Sequence, residues 1–143
     1  MEIIKNLKDV FNYNEIGVIT LYKAQEELIK KCLKKYFFYN VFTIDKCQGI
    51  EKEIIIISFC KANEKSVLLQ DINRINVAFT RAKTKLIIIG IKNILNKFDN
   101  LKDYLNKLEE KKLIYNFDFN LLDLNNINNN DNIFNDLKLF NKD

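Results

Sequence analysis

Histidine is absent from the 143-residue chain, which excludes metal sites and acid/base schemes built on imidazole. Glycine occurs only at Gly17, Gly49 and Gly90, and none of the three precedes a Lys-Ser or Lys-Thr pair. The phosphate-cradling loop G-x-x-x-x-G-K-[ST] is therefore missing, and the chain alone is not a complete P-loop NTPase. The three cysteines, Cys32, Cys47 and Cys60, form no C-x-x-C pair. A disulfide framework or a four-cysteine metal site does not fit them, and reduced, mostly buried thiols are expected. Proline is absent as well, and no apolar run approaches the roughly 20 residues of a membrane span. The first residues, Met1-Glu2-Ile3-Ile4-Lys5, lack the basic start, apolar stretch and small-residue cleavage site of a signal peptide, so an intracellular chain is expected.

What is present suits one globular domain: the chain is 48% hydrophobic and 29% charged. The first 90 residues carry a net charge of +5 and the remainder −1. That excess permits contact with nucleic acid without demonstrating it. Of 23 cations, 21 are lysine, and the two arginines, Arg74 and Arg81, lie close together. In a composition tilted toward Lys, Asn and Ile, two neighbouring arginines mark a place where the rigid planar fork does what a lysine point charge cannot. Beyond about residue 116 the chain becomes rich in Asp and Asn and loses its periodicity, so residues 116–143 read as a mobile tail.

Residues 16–20 form a short apolar run, and residues 24–35 place Leu28, Ile29, Cys32 and Leu33 at helical spacing. Further strands are expected at 41–44, 54–59 and 86–90, the last two apolar without alternation, as in strands covered on both faces. Helices are expected over 68–83 and 101–113, the latter with Leu101, Tyr104, Leu105 and Leu108 on one side. Apolar strands alternating with helices predict an α/β domain with a parallel sheet. In such sheets ligands sit beyond the carboxyl ends of the strands. That rule selects the residues after Thr20, the run Asp45-Lys46-Cys47-Gln48-Gly49-Ile50-Glu51, and the polar stretch around Arg74 and Arg81.

Three segments in this order resemble motifs of superfamily 1 helicases, in the branch of the nonsense-mediated-decay helicase and the DNA replication helicase/nuclease. Residues 17–25, Gly-Val-Ile-Thr-Leu-Tyr-Lys-Ala-Gln, are similar to motif IV, I-T-P-Y-x-x-Q. Residues 43–52, Thr-Ile-Asp-Lys-Cys-Gln-Gly-Ile-Glu-Lys, are similar to motif V, T-V-D-x-x-Q-G-x-E/D-K. Residues 73–83, Asn-Arg-Ile-Asn-Val-Ala-Phe-Thr-Arg-Ala-Lys, are similar to motif VI, R-R-L-N-V-A-x-T-R-A-K. The departures are Leu21 in place of proline and Asn73 in place of the first arginine. The resemblance covers about residues 15–115, after a lead-in over 1–14, and within the branch it is strongest to the replication helicase/nuclease.

The resemblance implies a second RecA-like domain, a parallel sheet flanked by helices without its own P-loop. It implies that Arg81 is an arginine finger reaching the γ-phosphate of ATP held by a P-loop RecA-like domain supplied in cis or in trans. Gln48 then couples the nucleotide and nucleic-acid paths. Gly49, Glu51, Arg74 and Lys23 lie on the ATP side, with Mg²⁺ held mainly by the missing domain and no metal site in this chain. Thr20, Tyr22, Thr43 and Asn76 meet the backbone of a single strand, with DNA favoured over RNA, and the place of action is the nucleus. Blander readings stand beside these: an arginine paired with a carboxylate, a turn glycine, a packed tyrosine, and lysines 30, 31, 34 and 35 drawn to a helix C-terminus by its dipole. Two rivals follow for the whole, an RNA helicase of the decay type and a truncated, non-catalytic nucleic-acid-binding remnant.

Overall fold

The computed structural model of the protein describes residue 4 and residues 11–59 and 66–115. The expectations placed on Cys60 and on the 116–143 tail lie outside these residues. Four strands, β1 (Ile16–Thr20), β2 (Val41–Thr43), β3 (Lys52–Ser58) and β4 (Ala82–Ile89), form one sheet in the order β2-β1-β3-β4. Every pairing is parallel, with Ile19 opposite Phe42 and Ile57, and Ile57 opposite Ile88. Helices cover both faces, and the chain is an α/β domain of RecA-like type, as expected.

The central strands explain the layering. Ile54, Ile55, Ile56 and Ile57 are each at most 3% exposed, because alternate side chains of β3 enter two different cores. On one face Ile54 and Ile56 pack with Ile16, Val18, Val41, Leu33 and Phe38 beneath α1 (Lys23–Leu33). On the other, Ile55 and Ile57 pack with Ile19, Ile44, Cys47, Ile75 and Ala78 beneath α3 (Ile72–Phe79) and α5 (Asp99–Glu110). Two short helices, α2 (Val67–Gln70) and α4 (Lys92–Leu95), complete the set. At Gly90 an added Cβ would come within 2.8 Å of Leu95 Cδ1 and 3.2 Å of Phe59 Cβ, so the chain leaves β4 only through a residue without a side chain.

Five expectations change. The helix expected over 68–83 is two helices, broken at Asp71. Asp71 has extended backbone (ψ 96°), and its Oδ1 accepts hydrogen bonds from Asn73 N (3.0 Å) and Arg74 N (3.3 Å), which makes it the N-cap of α3. Ala82 and Lys83 belong to β4, because Ala82 pairs with Lys52 of β3 and draws the strand four residues earlier than its apolar run indicates. β4 is an edge strand, and Leu86 to Ile89 are half-buried rather than buried. On α1 the inward side is Gln25, Glu26, Ile29 and Leu33, whereas Leu28 is 55% exposed and Cys32 is exposed. Apolar spacing alone did not reveal that two polar residues take the inward positions. Cys47 is buried, in line with the expectation for thiols that Cys32 breaks.

Asp71→Ala is expected to lower stability by about 1–2 kcal/mol, the usual range for a lost helix cap, while Asp71→Asn retains most of it. Urea unfolding of the three proteins measures this, and equal midpoints for wild type and Asp71→Ala would remove the cap from the account.

Candidate nucleotide and nucleic-acid site

From Thr43, at the carboxyl end of β2, the chain must reach Lys52, at the amino end of β3, two strands away. It does so without a full helix. A single 3₁₀ turn over Ile44–Lys46 is followed by a descent along the sheet face that α3 also covers. Ile44 is buried, and the buried Cys47 donates its thiol hydrogen to Ile44 O (3.0 Å). Gly49 then turns the chain with φ +77°, a left-handed conformation that glycine adopts without strain. The segment Asp45 to Glu51 thus lies beside α3 and is held there from within.

Between turn and helix lies a hollow of about 180 Å³, lined by Ile44, Asp45, Gln48, Asn73, Arg74 and Val77. Its charged elements are Arg74 and Asp45, and the Arg74 fork is divided between two carboxylates: Nη1 lies 3.1 Å from Asp45 Oδ1 and Nε lies 3.1 Å from Asp71 Oδ2. Arg81 follows at the end of α3. Its Nε donates to Val77 O (2.9 Å) and its Nη2 to Thr80 Oγ1 (3.3 Å), so the half-buried guanidinium lies back along its own helix. It is also close to Cys47. Burial pushes the Cys47 thiol above its ordinary value, and the positive charge of Arg81 opposes that shift without cancelling it.

The sequence-predicted residues divide by location. Gln48 and Arg74 line the hollow, and Gly49 and Glu51 continue the same descending segment, Glu51 exposed. Arg81 precedes β4, and its carbonyl accepts from Lys52 N (3.1 Å), which places it at the amino end of the sheet. The rule of carboxyl strand ends therefore does not select Arg81 or Glu51. They belong to the site face because the crossover and α3 both run down it. Lys23 stands apart on α1, against the opposite face, exposed and 3.7 Å from Glu27 Oε1.

Thr20, Thr43 and Tyr22 gather at the carboxyl ends of β1 and β2. Thr20 is fully buried and donates its hydroxyl to Tyr22 O (3.2 Å), and Thr43 is 8% exposed. In this conformation the Thr20 hydroxyl shapes the strand end through that bond. Tyr22 is half-buried, with its hydroxyl 3.1 Å from Ser66 Oγ. Asn76 is exposed on α3.

Residues given no role from the sequence complete the site. Gln25, buried, donates from Nε2 to Ser58 Oγ at 2.7 Å and ties α1 to the end of β3. Glu26, 5% exposed, accepts from Lys30 Nζ (2.5 Å) and lies 3.7 Å from Lys46 Nζ. Burial would raise the Glu26 carboxyl, but the Lys30 hydrogen bond and the charges of Lys30 and Lys46 outweigh it and hold the group below its ordinary value. Consecutive residues of one turn, Asp45 and Lys46, therefore reach two different helices, Asp45 to α3 and Lys46 to α1. The Asp45–Arg74 pair spans 29 positions, and no local pattern in the sequence could have announced it.

A protein-family model described as AAA domain matches residues 1–93. The chain belongs to this family. Relatives of this AAA domain include the DNA replication ATP-dependent helicase/nuclease DNA2 of Saccharomyces cerevisiae, 43% identical over 106 residues, a match covering 71% of this chain and 7% of the relative. The protein of the same name in Homo sapiens is 40% identical over 105 residues, covering 71% of this chain and 10% of that one. ECM32 of Saccharomyces cerevisiae, provisionally described as an ATP-dependent RNA helicase, is 35% identical over 144 residues, covering 71% and 13%. The AAA domain is thus similar to a small part of helicases that are many times its length.

As to what the AAA domain can hold, the hollow is smaller than the roughly 300 Å³ of an ordinary small-ligand site. Arg74 and the amides of Asn73 and Gln48 offer donors to it, while the Asp45 carboxylate in the same lining already pairs with Arg74 and opposes an anion. Among the described residues no three Asp, Glu, Cys or His side chains converge as metal ligands.

The depressed Glu26 carboxyl makes a pH prediction. Its folded-state pKa lies below the unfolded one, so its contribution is present above about pH 4.5 and is lost as the pH falls through the folded value. Glu26→Gln is expected to flatten the acid limb of the stability profile relative to wild type. Urea midpoints at pH 7 and pH 3.5 test this, and the same acid loss in both proteins would contradict it.

Proposed function

We propose that the chain is the second motor half of an ATP-dependent 5′–3′ helicase of the DNA replication helicase/nuclease type. The observation that carries the reading is one face on which Gln48, Asn73 and Arg74 line a hollow and Arg81 lies at the end of the same helix. The likeness to the DNA2 proteins supports the choice of type.

In this reading the AAA domain closes against a P-loop domain that holds the ATP phosphates and most of the Mg²⁺ coordination. ATP supplies the phosphoryl group, and the work of this chain is electrostatic and positional. Arg81 exchanges its bonds to Val77 O and Thr80 Oγ1 for oxygens of the γ-phosphate, where charge grows in the transition state. Both present acceptors are neutral, so an anionic oxygen is the better partner and the exchange is favourable. Arg74 already holds two carboxylates and serves to fix the turn that carries Gln48 and Glu51. Gly49 lets that backbone approach the nucleotide, and Lys23, exposed at the start of α1, supplies a cation near the cleft.

Closure and opening of the cleft move single-stranded nucleic acid past the carboxyl ends of β1 and β2. Tyr22 and Asn76 supply its contacts, while Thr20 and Thr43 set the geometry behind them. Contacts of this kind to phosphate and sugar carry no base sequence. The replication-type reading places the work in the nucleus on DNA. The likeness to ECM32 supports RNA as the second reading, and comparison of DNA and RNA strands as ATPase activators separates the two.

In the complete motor, Arg81→Ala is expected to lower ATP turnover by roughly 10³- to 10⁵-fold with little loss of ATP binding. ATPase near the wild-type rate in that variant would overturn the arginine-finger assignment.

A further inference from the structure

Where α1 ends, the chain returns to the sheet through a 3₁₀ turn (Lys34–Tyr36) and the residues that lead into β2. This is the amino edge of the sheet, away from the carboxyl ends that carry Thr20, Thr43 and Tyr22. Phe38 is fully buried and meets the Tyr13 ring edge-on, with centroids 5.7 Å apart. Its neighbours go the other way: Phe37 is 79% exposed and Tyr39 is 57% exposed. Phe37 also adopts a left-handed backbone with φ 57°, a conformation that glycine and asparagine enter more readily than a bulky aromatic residue. Asparagine is abundant in this chain, yet this position holds a phenylalanine and shows it to water.

The surroundings are cationic. Lys31, Lys34 and Lys35 are exposed, and among the described residues no carboxylate pairs with any of them. By contrast Lys23, Lys30 and Lys92 each have a glutamate. A helix dipole accounts for lysines at this end of α1, but not for two aromatic rings displayed beside them.

We propose that Phe37 and Tyr39, framed by Lys31, Lys34 and Lys35, form a second contact for single-stranded nucleic acid, separate from the loops of the motor track. Rings that stand out from the surface suit flat partners that stack on them, and the cations beside them, which lack a carboxylate among the described residues while Lys35 lies 5.1 Å over the Tyr36 ring, suit a phosphate backbone. A peptide partner would need its own pocket to receive a ring as exposed as Phe37. The choice of ligand class rests on the function proposed above; the location does not.

The test uses the full chain, a fluorescein-labelled oligothymidylate strand and fluorescence anisotropy at several salt concentrations. Phe37→Asn keeps a residue suited to the left-handed backbone, so it leaves the fold intact, and Tyr39→Ser alters only an exposed ring. Each is expected to weaken binding roughly 5- to 100-fold. Replacing Lys34 and Lys35 together by glutamine is expected to lower the slope of log K against log salt by about 1.4. A strand carrying 5-bromouracil is expected to photo-crosslink at Phe37 or Tyr39. Unchanged affinity in both aromatic variants overturns the proposal. If Asn76→Ala alone weakens binding, the motor-track reading survives and this one falls; if no variant weakens it, both fall. Binding of polyglutamate that is lost in the patch variants, with strand binding unmoved, would assign the surface to an acidic protein and also overturn it.

Discussion

Four consecutive isoleucines, Ile54 to Ile57, are buried on both faces of β3, and the rest of the domain follows from that constraint. Each contributes roughly 1.5–3 kcal/mol only if the face it points to is covered, so the four together require both faces to be covered. A strand of this kind must sit inside a parallel sheet, paired on both sides, and β1 and β4 provide those pairs. The segment that delivers the chain to β3 must then cross the sheet from the far edge. Because it crosses on a face already claimed by α3, the residues of the crossover and of the helix are forced together. The candidate site is that forced contact.

Electrostatics finishes what packing begins. Asp71 caps α3 and holds one side of the Arg74 fork, Asp45 holds the other, and Lys46 beside it reaches Glu26 on α1. The Arg74 pairs are largely exposed and individually worth little, about 0–1 kcal/mol each. Their value is geometric, since they give the turn that carries Gln48 and Gly49 one register against α3. The same turn touches both helices, so a change at the hollow beside Arg74 has a short physical route to α1.

Much of this was legible in the sequence. The apolar runs placed β1 and the middle of β3 correctly, and the three motif-like segments marked the crossover and α3 before any contact was known. The early start of β4 was hidden, because Ala82 to Lys85 are polar enough to read as helix end and join the strand only through pairing with β3. The break at Asp71 was hidden by the apolar spacing on either side, and its cap hydrogen bonds exist only in the fold. Gln25 was visible only as the last residue of the motif IV-like segment, and the burial of Gln25 and Glu26 was not, since it depends on partners, Ser58 and Lys46, that are close only after folding. The site residues divided for the same reason: Gln48 and Arg74 meet through topology, whereas Lys23 lies on the other face and Thr20 behind the surface.

The central claim is that this chain holds half of a nucleotide site. The direct measurement is ATP binding and turnover by the isolated chain, with and without the P-loop domain of a related helicase added in trans. The account predicts no turnover and at most weak binding by the chain alone, and turnover only when both halves and a single strand are present. Tight ATP binding with steady hydrolysis by the isolated chain would contradict it.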